Sequence, residues 1–208
     1  MKLKSFGCSL IFGTDLADDG RHGPRATSSN HTWPALLAKE LQREYHCHAR
    51  AGAGNLQILD TLLSHIDDSD SLYVIGWTYS DRCDYRERNQ WQTLLPHETT
   101  RLSRTYFAEL QDNYRDQLSA LSIIQAAVAA LGSRPCIMIC QDQTIFRHTG
   151  TPATEILISG LESKIHWFDG TAFVEWAHNN KYPISATKHP LEAAHRAAAD
   201  YALNHFLV

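Results

Sequence analysis

Leu3-Lys4-Ser5-Phe6-Gly7-Cys8-Ser9-Leu10-Ile11-Phe12-Gly13 runs into a turn bracketed by two glycines. Residues 3–8 read as a buried strand. A buried strand that stops at glycine delivers the next side chain to the rim of a sheet, and Ser9 stands there. Its hydroxyl and its backbone N–H then face the same space, so one turn supplies a nucleophile and one donor for a developing oxyanion. A Gly-x-Ser after a strand is more often only a turn, so the reading depends on what the rest of the chain sets beside it.

Outward from this turn the chain alternates strand and helix. Residues 14–31 are rich in Asp, Gly, Ser and Pro and read as a loop. Thr32 caps a helix in which Leu36, Leu37, Leu41 and Tyr45 recur at helical spacing behind Trp33 and Pro34. Residues 46–51 read as a second strand, closed by Gly52-Ala53-Gly54-Asn55, and 56–66 as a helix with Leu59, Leu62, Leu63 and Ile66 on one side. A third strand, 71–75, ends at Gly76-Trp77-Thr78. A long helix over 105–131 stops at Gly132, a fourth strand covers 136–140, and helices are expected over 152–161 and 190–207. Four apolar strands separated by helices predict one α/β domain over 1–208, a three-layer α/β/α sandwich with a mainly parallel sheet. Ligands of such sheets gather at the carboxyl ends of the strands, which makes 7–13, 52–55, 76–82 and 141–143 the rim where a site belongs.

With 208 residues, 43% of them hydrophobic and 20% charged, the chain has the composition of a globular protein able to bury a core without staples. A net charge of −4 gives no general attraction to nucleic acid or to an anionic membrane. The N-terminus lacks the apolar stretch of a secretory signal, and no run reaches the roughly 20 residues of a membrane span. Five cysteines at scattered positions do not form a disulfide framework. The cytoplasm, or a particle assembled there, is the expected location. His46 and His48 share one face of a strand while Cys47 points to the other, and two ligands fall short of the three or four that zinc takes. No metal and no cofactor is expected, and the oligomeric state is not legible.

The C-terminal end supplies the partner that Ser9 needs. Lys188-His189-Pro190 immediately precedes the last helix, and the proline holds His189 outside it, on a loop facing the sheet rim. With Gly7-Cys8-Ser9 near one end and Lys188-His189-Pro190 near the other, the chain resembles a divergent member of the SGNH (GDSL-like) hydrolases over almost its whole length. The first block of that family is Gly-Asp-Ser and its last is Asp-x-x-His-Pro. The resemblance implies the flavodoxin-like SGNH hydrolase fold, with Ser9 as nucleophile and His189 as base. Arg50-Ala51-Gly52-Ala53-Gly54-Asn55 is similar to the second block, which implies that the N–H groups of Ser9 and Gly54 hold the oxyanion. Gly76-Trp77-Thr78-Tyr79 falls where the third block, Gly-x-Asn-Asp, is expected.

Three positions depart from the pattern. Cys8 replaces an Asp that supports the turn. Thr78 falls where the oxyanion-hole Asn belongs; its hydroxyl donates one hydrogen bond with a shorter reach, and Asn55 is the alternative amide. Ala186 stands three before His189, where the family carries the acid that orients the base. Asp169 and Glu175, upstream in the same connection, are the carboxylates available to fold back.

The implied activity is hydrolysis of a carboxylic ester, in a small molecule or a glycan, through an acyl-enzyme on Ser9; a carbohydrate O-acetyl ester is one candidate. Two other readings stay open: an acyltransferase using the same residues, and a binding or structural protein of this fold that has lost catalysis. Residues 79–104 read as an excursion over the surface. Its arginines Arg82, Arg86 and Arg88, among Trp77, Tyr79, Tyr85 and Trp91, suit a lid over an anionic or sugar-containing substrate, or aromatics packed on the core. Trp77 and Arg82 are the candidate substrate contacts. His195, inside the last helix, reads as a surface or capping histidine.

Overall fold

The structure, a computed structural model, describes residues 1–20, 27–67 and 70–207. Among them run seven strands: β1 (Lys2–Gly7), β2 (Glu44–Cys47), β3 (Ser71–Trp77), β4 (Cys83–Glu87), β5 (Gln90–Leu94), β6 (Cys136–Cys140) and β7 (Ile165–His166). All but β4 and β5 form one parallel sheet in the order β2-β1-β3-β6-β7. The helices are α1 (Ser9–Phe12), α2 (Trp33–Glu40), α3 (Asn55–Leu63), α4 (Arg101–Thr105), α5 (Asn113–Leu131), α6 (Pro152–Leu161), α7 (Phe173–Asn179) and α8 (Glu192–His205).

Every residue of β3 is buried, as a central strand covered on both faces requires. Its side chains alternate between two cores. Tyr73, Ile75 and Trp77 join Met138 of β6 against Ile58 and Leu62 of α3, Leu121 and Ile124 of α5 and Ile158 of α6. Leu72 and Val74 join Leu3, Ile137 and Ile139 on the other face, against Leu37 of α2, Phe173 of α7 and the alanines of α8. The expected α/β/α sandwich is thus found, with the parallel sheet as its middle layer.

Several elements differ from the sequence reading. The second strand starts earlier and is shorter, Glu44–Cys47 in place of 46–51. The long helix over 105–131 is two pieces: a short π-helix, Tyr106–Leu110, continues α4, and α5 restarts where Asp112 accepts the Arg115 N–H at 2.8 Å. β7 and α7 are additional, and α8 begins at Glu192 because Pro190 bridges back to Ile184. In the loop over 14–31, residues 21–26 lie outside the described residues. His46 pairs with Glu44, and His48 stacks between Phe6 and His65, so the two serve the fold around β2.

Inside the excursion over 79–104, β4 and β5 form an antiparallel hairpin. It is pinned to α3: Trp91 Nε1 donates to Asp60 Oδ2 at 2.8 Å, and Arg50 Nη1 donates to the Trp91 carbonyl at 2.8 Å. Among the described residues no helix is long and apolar enough to cross a membrane.

Candidate active site

β1 ends at Gly7, whose glycine is required by space: a Cβ there would stand 2.6 Å from Ile11 Cγ1 and 3.0 Å from the Gly76 carbonyl. Cys8 is buried and extended, and Ser9 opens the single turn of α1. A residue at that position has no N–H partner inside its own helix, which leaves the Ser9 amide open to a ligand. At the far end of the chain, residues 184–191 make a tight turn. The Ser185 N–H donates to the His189 carbonyl at 2.8 Å, Lys188 N–H to the Ser185 carbonyl at 3.0 Å and Leu191 N–H to the Pro183 carbonyl at 3.0 Å. Lys188 takes up the left-handed region at φ +67° to close it.

This turn brings His189 Nε2 to 2.9 Å from Ser9 Oγ. The other ring nitrogen, Nδ1, lies 2.9 Å from Asp15 Oδ2. Asp15 follows α1 in the left-handed region at φ +71°, with its N–H donating to Asp19 Oδ2 at 3.0 Å. The same Asp15 Oδ2 accepts from Ser185 Oγ at 2.8 Å and from Thr187 Oγ1, and Thr187 Oγ1 also stands 2.8 Å from His189 Nδ1. A hydroxyl, an imidazole and a carboxylate therefore form one hydrogen-bonded line, with only 18% of the His189 side chain and 17% of that of Asp15 exposed.

The carboxylates expected beside His189 lie elsewhere. Asp169 accepts from Trp176 Nε1 at 2.8 Å and from the Tyr201 hydroxyl at 3.0 Å, which ties α7 to α8. Glu175 is exposed on α7. Asp15 lies far from the residues preceding His189, where the family pattern places the acid. The available signal was a carboxylate six positions after Ser9, on the same turn.

Two of the expected oxyanion donors, Gly54 and Asn55, are engaged elsewhere. Gly54 N–H donates to Asp84 Oδ1 at 3.0 Å, while Asp84 Oδ2 accepts the Gln57 N–H at 2.9 Å. Asp84 thus caps α3, and a Cβ on Gly54 would meet its carboxylate at 2.5 Å. Asn55 joins α3 to the end of β3: its Oδ1 accepts the Thr78 N–H at 2.8 Å and its Nδ2 donates to the Thr78 carbonyl at 3.2 Å. The Thr78 hydroxyl is buried without a hydrogen-bond partner. Of this set, the Ser9 N–H is the donor that lies beside the Ser9 hydroxyl.

A cleft of ≈ 500 Å³ opens over Ser9 and His189, bordered by Gly52, Arg82, Leu95 and Lys188 among others. Leu95 follows directly on β5, so the excursion forms one wall of the cleft. Arg82 lies on it as expected, whereas Trp77 does not: it is 0% exposed, within the core between the sheet and α5. The sheet's alternation turns Trp77 inward, and Tyr79, 40% exposed, is the aromatic residue at the rim. His195 is buried, with Nδ1 accepting the Trp33 N–H at 3.0 Å at the start of α2; it caps a neighbouring helix rather than its own.

No protein-family model and no curated protein sequence matches the chain. Solved structures do. A lipolytic protein of the G-D-S-L family from Veillonella parvula superposes with a TM-score of 0.54 at 12% identity, over 99% of this chain and 98% of that one. A phospholipase A1 from Streptomyces albidoflavus gives 0.51 at 13% identity, over 98% of both chains. A carbohydrate esterase family 2 enzyme with a carbohydrate binding domain, from Corynascus thermopiles (Myceliophthora fergusii), gives 0.52 at 15% identity, over 98% of this chain and 64% of that one. At such identities the likeness is one of architecture: the chain is built on the fold of the GDSL (SGNH) hydrolases.

Proposed function

We propose that this protein is a serine esterase in which Ser9, His189 and Asp15 act together. The observation that carries the reading is the unbroken line from Ser9 Oγ to His189 Nε2 at 2.9 Å and from His189 Nδ1 to Asp15 Oδ2 at 2.9 Å. Ser9 Oγ attacks the ester carbonyl as His189 Nε2 takes its proton, and Asp15 stabilises the imidazolium that forms. The Ser9 N–H donates to the oxyanion of the tetrahedral intermediate. His189 then returns the proton to the departing alkoxide, leaving an acyl group on Ser9. Water, deprotonated by the same imidazole, attacks the acyl carbon; Ser9 Oγ departs, taking that proton back from His189, and the carboxylic acid is released. Fold likeness to a phospholipase and a carbohydrate esterase is compatible with an ester substrate and does not choose among esters.

A fluorophosphonate probe should label Ser9, and p-nitrophenyl acetate should be hydrolysed by the wild type and not by Ser9→Ala. Equal absence of labelling and turnover in both proteins overturns the reading.

One observation favours a second reading, a binding protein of this fold. Gly54 N–H is engaged by Asp84, and losing an oxyanion donor costs about 10²–10³ in turnover. That reading predicts undiminished ligand affinity in Ser9→Ala together with no acyl-enzyme in the wild type.

A further inference from the structure

We propose that the Ser9 cleft is built for an ester bearing a negative charge on its acyl or its alcohol half, and that Arg82 and Lys188 receive that charge. The word ester rests on the hydrolase reading above; the charge rests on the cleft itself.

Arg82 and Lys188 both border the cleft that contains Ser9 and His189, in a chain whose net charge is −4. Among the described residues neither of them enters a salt bridge, although Lys4, Arg115 and Arg196 each find a carboxylate. Two cations border the reaction centre without a salt bridge, and each also borders a neighbouring depression, Arg82 one with Asp84 and Asp116 and Lys188 one with Asp142 and Glu175.

Arg82 is held in place for this. Its Nη1 donates to the Ala53 carbonyl at 2.9 Å, and its guanidinium lies over the Tyr79 ring at 5.4 Å. Ser80, between them, is fixed to Asp142 Oδ2 through its N–H at 2.9 Å and its hydroxyl at 2.7 Å. The remaining guanidinium donors form a fork whose orientation is set before a ligand arrives, which suits the planar pairing of a carboxylate or phosphate. Lys188 is the complement. Its backbone is locked in the turn beside His189, while its exposed side chain carries a mobile point charge.

Asp81 is the opposing carboxylate on this border. Burial and the nearby Asp142 raise its pKa while Arg82 pulls the other way, and it is shared with a second depression lined by Asp116 and Arg147. Of the side chains bordering the cleft, two cations stand against this one carboxylate, while Asp15 lies behind the His189 imidazole with 17% of its side chain exposed.

The test compares 4-acetoxybenzoate, charged on the alcohol half, and mono-p-nitrophenyl succinate, charged on the acyl half, with their methyl esters. Wild type should prefer at least one anion over its neutral ester by about tenfold in kcat/KM. Arg82→Gln or Lys188→Gln, or roughly 0.5 M NaCl, should bring that ratio toward one. Calorimetric titration of Ser9→Ala with the same pairs reads the charge preference without turnover. Turnover of neutral and charged esters at equal efficiency, with no effect of either substitution on the ratio, overturns the charge assignment and leaves the hydrolase reading intact. Absence of turnover with tighter binding of an anion to Ser9→Ala does the reverse.

Discussion

Asp15 Oδ2 meets His189 Nδ1 at 2.9 Å, although 174 residues separate the two in the chain. In the proposed mechanism the carboxylate that orients His189 thus comes from the turn that carries Ser9, and Ala186 leaves no gap in the site. Asp15→Asn keeps the shape but presents an amide that favours the wrong imidazole tautomer. Turnover of p-nitrophenyl acetate should fall on the order of 10²–10⁴, whereas Glu175→Gln on the exposed face of α7 should match wild type. Equal rates for Asp15→Asn and wild type would remove Asp15 from the mechanism.

Thr187 positions this pair. Its hydroxyl contacts both Asp15 Oδ2 and His189 Nδ1, while Ser185 Oγ donates to the same carboxylate oxygen and accepts the His189 N–H at 3.1 Å. Thr187→Val removes the hydroxyl at constant volume and lets the imidazole swing. The expected result is a drop in kcat of about tenfold to a hundredfold with KM held, since the loss is one of orientation. Thr187→Ser should recover most of it; failure of serine to rescue would point to packing instead.

The parts of the fold that were legible in the sequence are those dictated by local pattern. β3 and β6 are apolar runs stopped by a polar rim, β1 is a short segment that ends at a glycine, and Thr32 announces α2 by accepting the Ala35 N–H. Ser9 and His189 could be read because each sits at a chain feature with its own signature, a glycine turn and a proline-closed loop. The β4–β5 hairpin escaped because β4 is charged, β5 is largely polar, and the two-residue turn is Arg88-Asn89, at φ +48° and +66°, without the Asn-Gly pair that usually marks such a turn. β7 is only two residues long and makes no pattern of its own. Asp15 and Trp77 failed for a different reason. Which carboxylate faces His189, and which way Trp77 turns at the end of β3, are settled by long-range closure and by sheet alternation.

Asp84 anchors the hairpin by capping α3. It accepts the N–H groups of Gly54 and Gln57 and, at 2.6 Å, the Thr93 hydroxyl from across the hairpin. Asp84→Ala should cost about 1–3 kcal/mol of stability, read as a lowered urea midpoint. It should also increase proteolysis within 83–94, because the cleft wall loses a principal tie to α3. An unchanged midpoint would show that Trp91–Asp60 and Arg50–Trp91 suffice to hold the hairpin.

Stability should fall as the solution is acidified below about pH 6.5, through His195. Its Nδ1 accepts the Trp33 N–H, so it must stay unprotonated there, and burial, assisted by the charge of His189, lowers its pKa to about 3. In the unfolded chain it titrates near 6.5. Above that value neither state binds the proton and the contribution is complete. Between 6.5 and 3 the unfolded chain takes up a proton that the fold refuses, and stability drops, by about 2 kcal/mol at pH 5. His48, held near 4 by burial and by its neighbours His65, His46 and Lys4, acts in the same direction over the same window. Urea unfolding at pH 7 and pH 5 measures the difference. His195→Asn, which offers Trp33 an acceptor that does not titrate, should start from a lower stability at pH 7 and lose about 2 kcal/mol less on acidification. The same pH slope in both proteins would assign the acid sensitivity to other groups.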